Sequence, residues 1–244
     1  MESSSITSKI RFVLVETSHS GNIGSSARAM KTMGINKLYL VKPQNYTHDH
    51  ACALAVHAAD LVENAVHCES LNEAISDCSY VIGTTARTRN LEWTCSNSRA
   101  FTKQALNQAS KGEIAIIMGR EKSGLTNEEL ELCDLRVHIP TSDYSSLNLA
   151  QAVQILAYEL KMSQTSDNVF ESDGVDDESL ASKQELDGLM QHTKELLEHA
   201  KIIDANNPKS KLLARLRKIY TKASLELTEI NIFRGIFAAI LKKK

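Results

Sequence analysis

The 244-residue chain has five cysteines (Cys52, Cys68, Cys78, Cys95 and Cys133) and no C-x-x-C among them. An odd, widely spaced set argues against a disulfide framework and against a zinc knuckle, and reads as reduced thiols. No apolar run approaches the roughly 18 residues of a spanning helix, and the start, MESSSITSKIR, lacks the apolar core of a secretory signal. A soluble, cytoplasmic protein without membrane contact is expected. Internal repeats, an H-x-x-x-H ligand helix, a Cys-His pairing and a G-x-S-x-G elbow are also lacking. His48, His50 and Cys52 form an H-x-H-x-C in a polar loop, but no fourth ligand accompanies them, and no metal is expected.

What is present is a globular balance, 42% hydrophobic and 24% charged, with enough apolar content for a packed core. Between residues 10 and 159, short β-branched runs alternate with amphipathic stretches. IRFVLV (10–15), KLYLV (37–41), YVIGTT (80–85), IAIIM (114–118) and RVHI (136–139) read as strands, most of them too uniformly apolar to leave a wet face. Ser70-x-x-Glu73 and Thr126-x-x-Glu129 read as capping boxes, and Gly34 as the glycine that ends a helix through residues 27–33. The fold class is α/β, a parallel sheet covered by helices on both sides. Residues 165–183, rich in Ser, Asp and Glu, lose all periodicity and read as an acidic flexible linker. They separate a domain over 1–164 from a small all-helical region over 184–244. Ser182-x-x-Glu185 caps the first of its three helices, about 183–203, 208–223 and 225–242, with Pro208 in the first turn of the second.

Two glycine-bearing stretches follow apolar strands, and neither is a nucleotide loop of the common kinds. In TSHSGNIGSSARAM, Gly21 and Gly24 lack the first glycine of the dinucleotide fingerprint, which disfavours a nicotinamide enzyme. In GREKSGLT, Leu125 stands where a P-loop needs its phosphate-binding lysine. Polar and small residues nonetheless gather at the carboxyl ends of several strands: Asn22, Gly24 and Arg28; GTTAR (83–87); Gly119, Glu121 and Gly124; Tyr144, Ser145, Ser146 and Asn148. Each alone reads as turn chemistry. Four such loops at the edge where open α/β sheets bind ligands outweigh that reading together. Arg28, with apolar neighbours and a polar helix start before it, suits a phosphate clamp and not a proton acceptor, because arginine stays charged.

The net charge of −2 hides a partition. Residues 1–164 balance to −2, 165–183 to −5 and 184–244 to +5. In the 209–223 helix, Lys211, Arg215, Lys218 and Lys222 share one stripe, while Leu212, Leu213, Leu216, Ile219 and Tyr220 are expected on the packed side. A solvated amphipathic helix would show the same pattern. The basic balance of the whole region favours contact with an RNA backbone.

NIGSSAR, IMGREKSGLT and IP...SSLNLAQAV resemble the three signature motifs of the SPOUT methyltransferases of the SpoU/TrmH type. VETSHSGNIGSSARAMKTMG, DYSSLNLAQAVQILAYE and EINIFRGIFAAI are similar, more narrowly, to the branch of that family that methylates the 2′-oxygen of cytidine or uridine 32 in tRNA. The resemblance covers nearly the whole chain and fades in the acidic linker. It implies a trefoil knot, one of the rare exceptions to unknotted chains, and a homodimer with active sites at the subunit interface. It also implies S-adenosyl-L-methionine held by Thr84, Thr85, Ala86, Gly119, Ile139, Ser146, Leu147 and Asn148. Arg28 matches the family's catalytic arginine, with Asn22, Glu121 and Asn148 completing the catalytic set. Methylation at another tRNA or rRNA position, a non-catalytic RNA-binding protein, and an enzyme acting on a small nucleotide remain as alternatives.

Overall fold

The computed structural model describes residues 6–86, 95–143, 146–166, 180–203 and 210–242. The chain divides into two compact units, residues 1–173 and 174–244. The first runs β1 (Ile10–Val15), α1 (Ser20–Thr32), β2 (Lys37–Val41), α2 (His48–Ala55), α3 (Ala59–Glu63), β3 (Val66–Cys68), α4 (Leu71–Ile75), β4 (Tyr80–Thr84), β5 (Cys95–Asn97), α5 (Phe101–Lys111), β6 (Ile114–Met118), α6 (Asn127–Glu131), β7 (Leu135–His138) and α7 (Leu149–Ser166).

The strands form one seven-stranded sheet in the order β3-β2-β1-β6-β4-β7-β5, and every pairing is parallel. All five expected strands are present. The sheet adds β3 and β5, which lie at its two edges and are too short for their alternation to register in sequence. Every residue of β1 and β6 is buried, because the period-two backbone feeds two separate cores. Phe12, Leu14, Ile114, Ile116 and Ile82 face one core, shared with Ile23, Ala27 and Met30 of α1 and Val153, Leu156 and Leu160 of α7. Val13, Val15, Ala115, Ile117 and Val81 face the other, with Leu71, Ala74 and Ile75 of α4 and Leu130 of α6.

Local chemistry sets the helix ends. Thr126 and Glu129 cap α6 reciprocally. At α4 only half of the expected box forms: Ser70 accepts from the Glu73 N–H, but the Glu73 carboxylate takes the N–H of Glu69 instead of Ser70. Gly34, with φ +79°, follows α1 as expected. A Cβ on Gly24 would lie 2.0 Å from the Ala51 carbonyl oxygen of α2, so Gly24 serves the close crossing of two helices. The end of α2 is strained. Val56 has φ 53° and ψ −117°, a region that suits glycine and penalises a β-branched residue.

At the amino end of the sheet, Arg11 of β1 is a buried cation. Its guanidinium donates twice to Asp77, both bonds 2.7 Å long, and lies 4.3 Å from the centre of the Tyr39 ring. None of Cys52, Cys68, Cys78 and Cys133 forms a disulfide. No helix among the described residues is long and apolar enough to cross a membrane.

The second unit contains α8 (Lys183–His199), α9 (Ser210–Ala223) and α10 (Leu227–Leu241). Ser182 and Glu185 form a full capping box at the start of α8. Pro208 lies outside the described residues. Leu189 and Ile230 are fully buried, and the rings of Tyr220 and Phe233 meet at 5.9 Å. α7 extends to Ser166, and Leu180 pairs with Glu226 in an isolated antiparallel bridge.

Candidate active site

Parallel pairing brings the carboxyl ends of β1, β6, β4 and β7 to one edge, in register as Leu14 with Met118, Gly83 with Ile117 and Thr84 with Val137. The loops that follow these strands carry most of the expected site residues. The loop after β6 closes on itself: the Arg120 N–H donates to the Gly124 carbonyl, and the Gly124 N–H to the Arg120 carbonyl. A Cβ on Gly119 would lie 2.2 Å from the Gly124 carbonyl carbon, so only glycine permits this turn. Arg120 is then clasped by Glu16 after β1 and Glu129 on α6, at 2.7 and 2.9 Å. Hydrogen bonding from Arg120 holds the Glu16 carboxyl below its ordinary range.

This clasp aims Glu121 at the start of α1. Its carboxylate accepts from the Ser18 N–H at 3.1 Å, the Ser18 hydroxyl at 3.0 Å and Asn22 Nδ2 at 2.8 Å. Asn22 Oδ1 in turn accepts from Asn148 Nδ2 at 3.0 Å, and Asn148 Oδ1 accepts from the Ala150 N–H at the start of α7 at 2.9 Å. The chain of bonds has one direction. Because a backbone N–H occupies Asn148 Oδ1, Asn148 must donate to Asn22, and Asn22 must donate to a group that only accepts. An ionised carboxylate meets that requirement. Partial burial alone would raise the Glu121 pKa, but the bonds from Asn22 and Ser18 outweigh it and hold the carboxyl below its usual value.

Arg28 lies on the same helix as Asn22, just over two turns from its start at Ser20. It is exposed, and no hydrogen bond or ion pair engages it among the described residues. The guanidinium is thus available to an external anion. In the cofactor set, the Thr84 hydroxyl donates to the Ile117 carbonyl at 2.9 Å and the Thr85 N–H to the Val137 carbonyl at 2.9 Å, which fixes the β4 loop against β6 and β7. Ala86, Ser146 and Asn148 are exposed, Ile139 and Leu147 half-buried, and Gly119 buried. Tyr144 and Ser145 lie outside the described residues. Small and apolar side chains, exposed loop backbone and no fixed charge suit a neutral purine and a sulfonium, and the set fits the expected cofactor.

Residues 9–158 match the model of the SpoU rRNA Methylase family. The chain belongs to the SpoU methylase family. Residues 184–244 of this methylase also match the C-terminal domain of the tRNA methyltransferase TrmJ. The tRNA (cytidine/uridine-2′-O-)-methyltransferase TrmJ of Photorhabdus laumondii is 40% identical over 234 residues, 96% of this chain and 97% of the relative. A probable methylase family protein from Haemophilus influenzae is similar in structure, with a TM-score of 0.65, 41% identity and 97% of each chain covered. TrmJ from Z. mobilis has a TM-score of 0.80 at 28% identity, covering 95% of this methylase and 99% of that chain.

Three features of this SpoU methylase went beyond its motifs. Ser18 is one: it lies in the motif-bearing stretch, but its double contact with Glu121 has no sequence signature. The Glu16–Arg120–Glu129 clasp is another, joining residues over 100 positions apart. The third concerns α9. Lys211, Arg215 and Lys222 are exposed while Lys218 is half-buried, and the expected packed side is incomplete. Ile219 is 59% exposed, because α9 turns Arg217 inward to pair with Asp187 of α8. On α2, His48 and Cys52 lie a turn apart, but no third ligand joins them among the described residues.

Proposed function

We propose that the protein transfers a methyl group from S-adenosyl-L-methionine to a ribose 2′-hydroxyl of tRNA, at nucleotide 32 of the anticodon loop. The observation that carries this reading is the directed chain Asn148–Asn22–Glu121. It joins the three motif loops into one polar wall beside a helix whose Arg28 is exposed and unengaged. The name borne by the Photorhabdus relative supports the substrate class, and the match of 184–244 extends that support to the helical unit. In this reading the trefoil knot belongs to the stretch in which β6, β4 and β7 are neighbours out of chain order. The chain acts as a homodimer, with half-exposed Tyr158 and Met162 of α7 in the shared surface.

The cofactor supplies an electrophilic methyl group on a positively charged sulfur. Thr84–Ala86, Gly119, Ile139 and Ser146–Asn148 hold it, largely through backbone groups. The remaining work is to position a poorly acidic hydroxyl in line with that methyl and to steady the charge that develops on its oxygen. Arg28, permanently cationic, holds the adjacent phosphate and offsets that charge. Asn22 and Asn148 position the reactants through amide groups whose orientation Glu121 fixes, and Lys211, Arg215, Lys218 and Lys222 hold tRNA phosphates.

Arg28→Ala tests the assignment. Methyl transfer to tRNA should fall by about 10²-fold or more, while calorimetric titration with the demethylated cofactor should give near-normal affinity without added metal. Near-normal turnover in Arg28→Ala would refute the role of this residue, and saturable ATP binding with no response to either form of the cofactor would refute the reading itself.

A further inference from the structure

Two branched apolar side chains are exposed on the segment that packs beside Arg28: Leu54 at the end of α2 is 42% exposed and Val56, just after it, 48%. α1 sets the place of both. A Cβ on Gly21 would lie 2.7 Å from Leu54 Cδ1 and 3.6 Å from His50 Cε1, so the missing side chain of Gly21 makes room for Leu54 and for exposed His50. One turn on, Gly24 meets the backbone of Ala51 and Ala55, and near the end of α1 Lys31 pairs with Asp60. The two segments therefore run side by side in the same direction, and residues 56–58, which pack on α1, pass beside the turn that carries Arg28. Gly21 and Arg28, seven residues apart, share one face of α1 and are separated by about 10 Å along its axis. Val56 holds φ 53° and ψ −117°, yet almost half of its side chain faces solvent. Packing returns little for that strain, and strain kept at an exposed position points to an external contact.

We propose that His50, Leu54 and Val56 seat the base of the unpaired nucleotide on the 3′ side of the methylated ribose, while Arg28 holds the phosphate between the two. The seat rests on the reading of the substrate as tRNA given above. Its chemistry selects the occupant. An imidazole and two branched apolar side chains offer a flat base a surface to stack on without demanding one hydrogen-bond pattern, and the cation that its phosphate needs stands on the same face of α1. The 5′ neighbour of the target closes the anticodon stem, so the 3′ neighbour is the one whose base is free to turn outward. A protein occupant is disfavoured, because two apolar side chains beside a histidine fall far short of the roughly 800 Å² that each partner of a stable protein contact buries.

Steady-state methylation by the full chain tests the seat, with full-length tRNA in which the 3′ neighbour of the target is either intact or abasic. Wild type should lose about tenfold in kcat/KM on the abasic tRNA. Leu54→Gln and Val56→Gly should each raise KM for intact tRNA about three- to tenfold with kcat near its wild-type value, the mark of a contact made equally before and during methyl transfer. Each variant should then lose less than about twofold more on abasic tRNA, because the base it no longer seats is the one removed. Val56→Gly also relieves the backbone, so its raised KM should come with undiminished stability in urea, which a merely structural role would not give. Val66→Ala, at a comparably exposed apolar position on β3 (44%), should match wild type on both substrates. Equal losses on abasic tRNA in wild type and both variants, or no loss in any of them, would overturn the seat and leave the tRNA reading standing. No methylation of either tRNA by wild type with its cofactor bound would overturn that reading and the seat with it.

Discussion

Replacing Glu121 by glutamine removes one charge and reverses half of one hydrogen-bonding group without changing size. The carboxylate accepts from Ser18 and from Asn22, at 3.0–3.2 Å and 2.8 Å. A glutamine offers one acceptor and one donor group. With its oxygen toward Asn22 it still accepts from Asn22 Nδ2 and, at the 3.2 Å position, from the Ser18 N–H, while its NH₂ faces the Ser18 hydroxyl, which must turn from donor to acceptor. Every surviving bond loses its charge assistance. Bonds to charged groups contribute roughly 1.5–3 kcal/mol against about 0.5–1.5 kcal/mol for neutral ones, so the expected loss of stability is about 1–2 kcal/mol. Asn22→Asp alone also harms the site, because it sets a second carboxylate against Glu121. Combined, the two changes repair each other: the new glutamine donates to the new aspartate and accepts from Ser18, while the aspartate still accepts from Asn148. Urea unfolding midpoints and tRNA methylation of wild type, both single variants and the double variant form a double-mutant cycle. The double variant should recover stability, with a coupling of about 1–3 kcal/mol. Additive losses would refute the directed chain of bonds.

Further perturbations probe other parts of the account. Val56→Gly should stabilise the protein by roughly 1–2 kcal/mol in urea unfolding by relieving the strained turn after α2; no gain would mean that Val56 rests there without strain. Gly24→Val should destabilise by about 3 kcal/mol or more, since its Cβ would press on the α2 backbone, and a normal melting temperature would contradict the tight crossing. Asp77, held below its ordinary pKa chiefly by hydrogen bonding from Arg11, gives stability present above its unfolded value of about 4 and lost as pH falls through the folded value. Asp77→Asn should remove that part of the acid dependence and, by leaving buried Arg11 poorly paired, cost about 2 kcal/mol at neutral pH; an unchanged acid profile would count against the pair. Changing Lys211, Arg215, Lys218 and Lys222 to Glu should weaken tRNA binding and flatten its salt dependence, whereas equal affinity would move tRNA recognition to the α/β unit.

The central strands were legible because β1 and β6 are buried on both faces, which writes an unbroken apolar run into the sequence. β3 and β5 were not, since three-residue edge strands carry no period. Asn22, Glu121 and Asn148 stood out as polar residues at strand ends, and the structure joins them in one network. Their order of donation was hidden, because it depends on the backbone N–H of Ala150 that occupies Asn148. Arg120 was overlooked between Gly119 and Glu121, as one of its carboxylate partners, Glu16, comes from a segment 104 positions away and the other, Glu129, reads in sequence as a helix cap. Periodicity placed Ile219 on the packed side of its helix, but the pairing of Arg217 with Asp187 rotates that side toward charge. Gly24 shows the reverse case, a residue singled out for a ligand loop whose place is explained by helix packing.

The most direct test of the central claim is to incubate the purified protein with methyl-labelled S-adenosyl-L-methionine and unmodified tRNA, then map the label by nuclease digestion and mass spectrometry. The account predicts one methyl group on the ribose 2′-oxygen of nucleotide 32, detected as a linkage resistant to alkali, with incorporation lost in Arg28→Ala. Label on a base, or no label under conditions in which the cofactor binds, would contradict it.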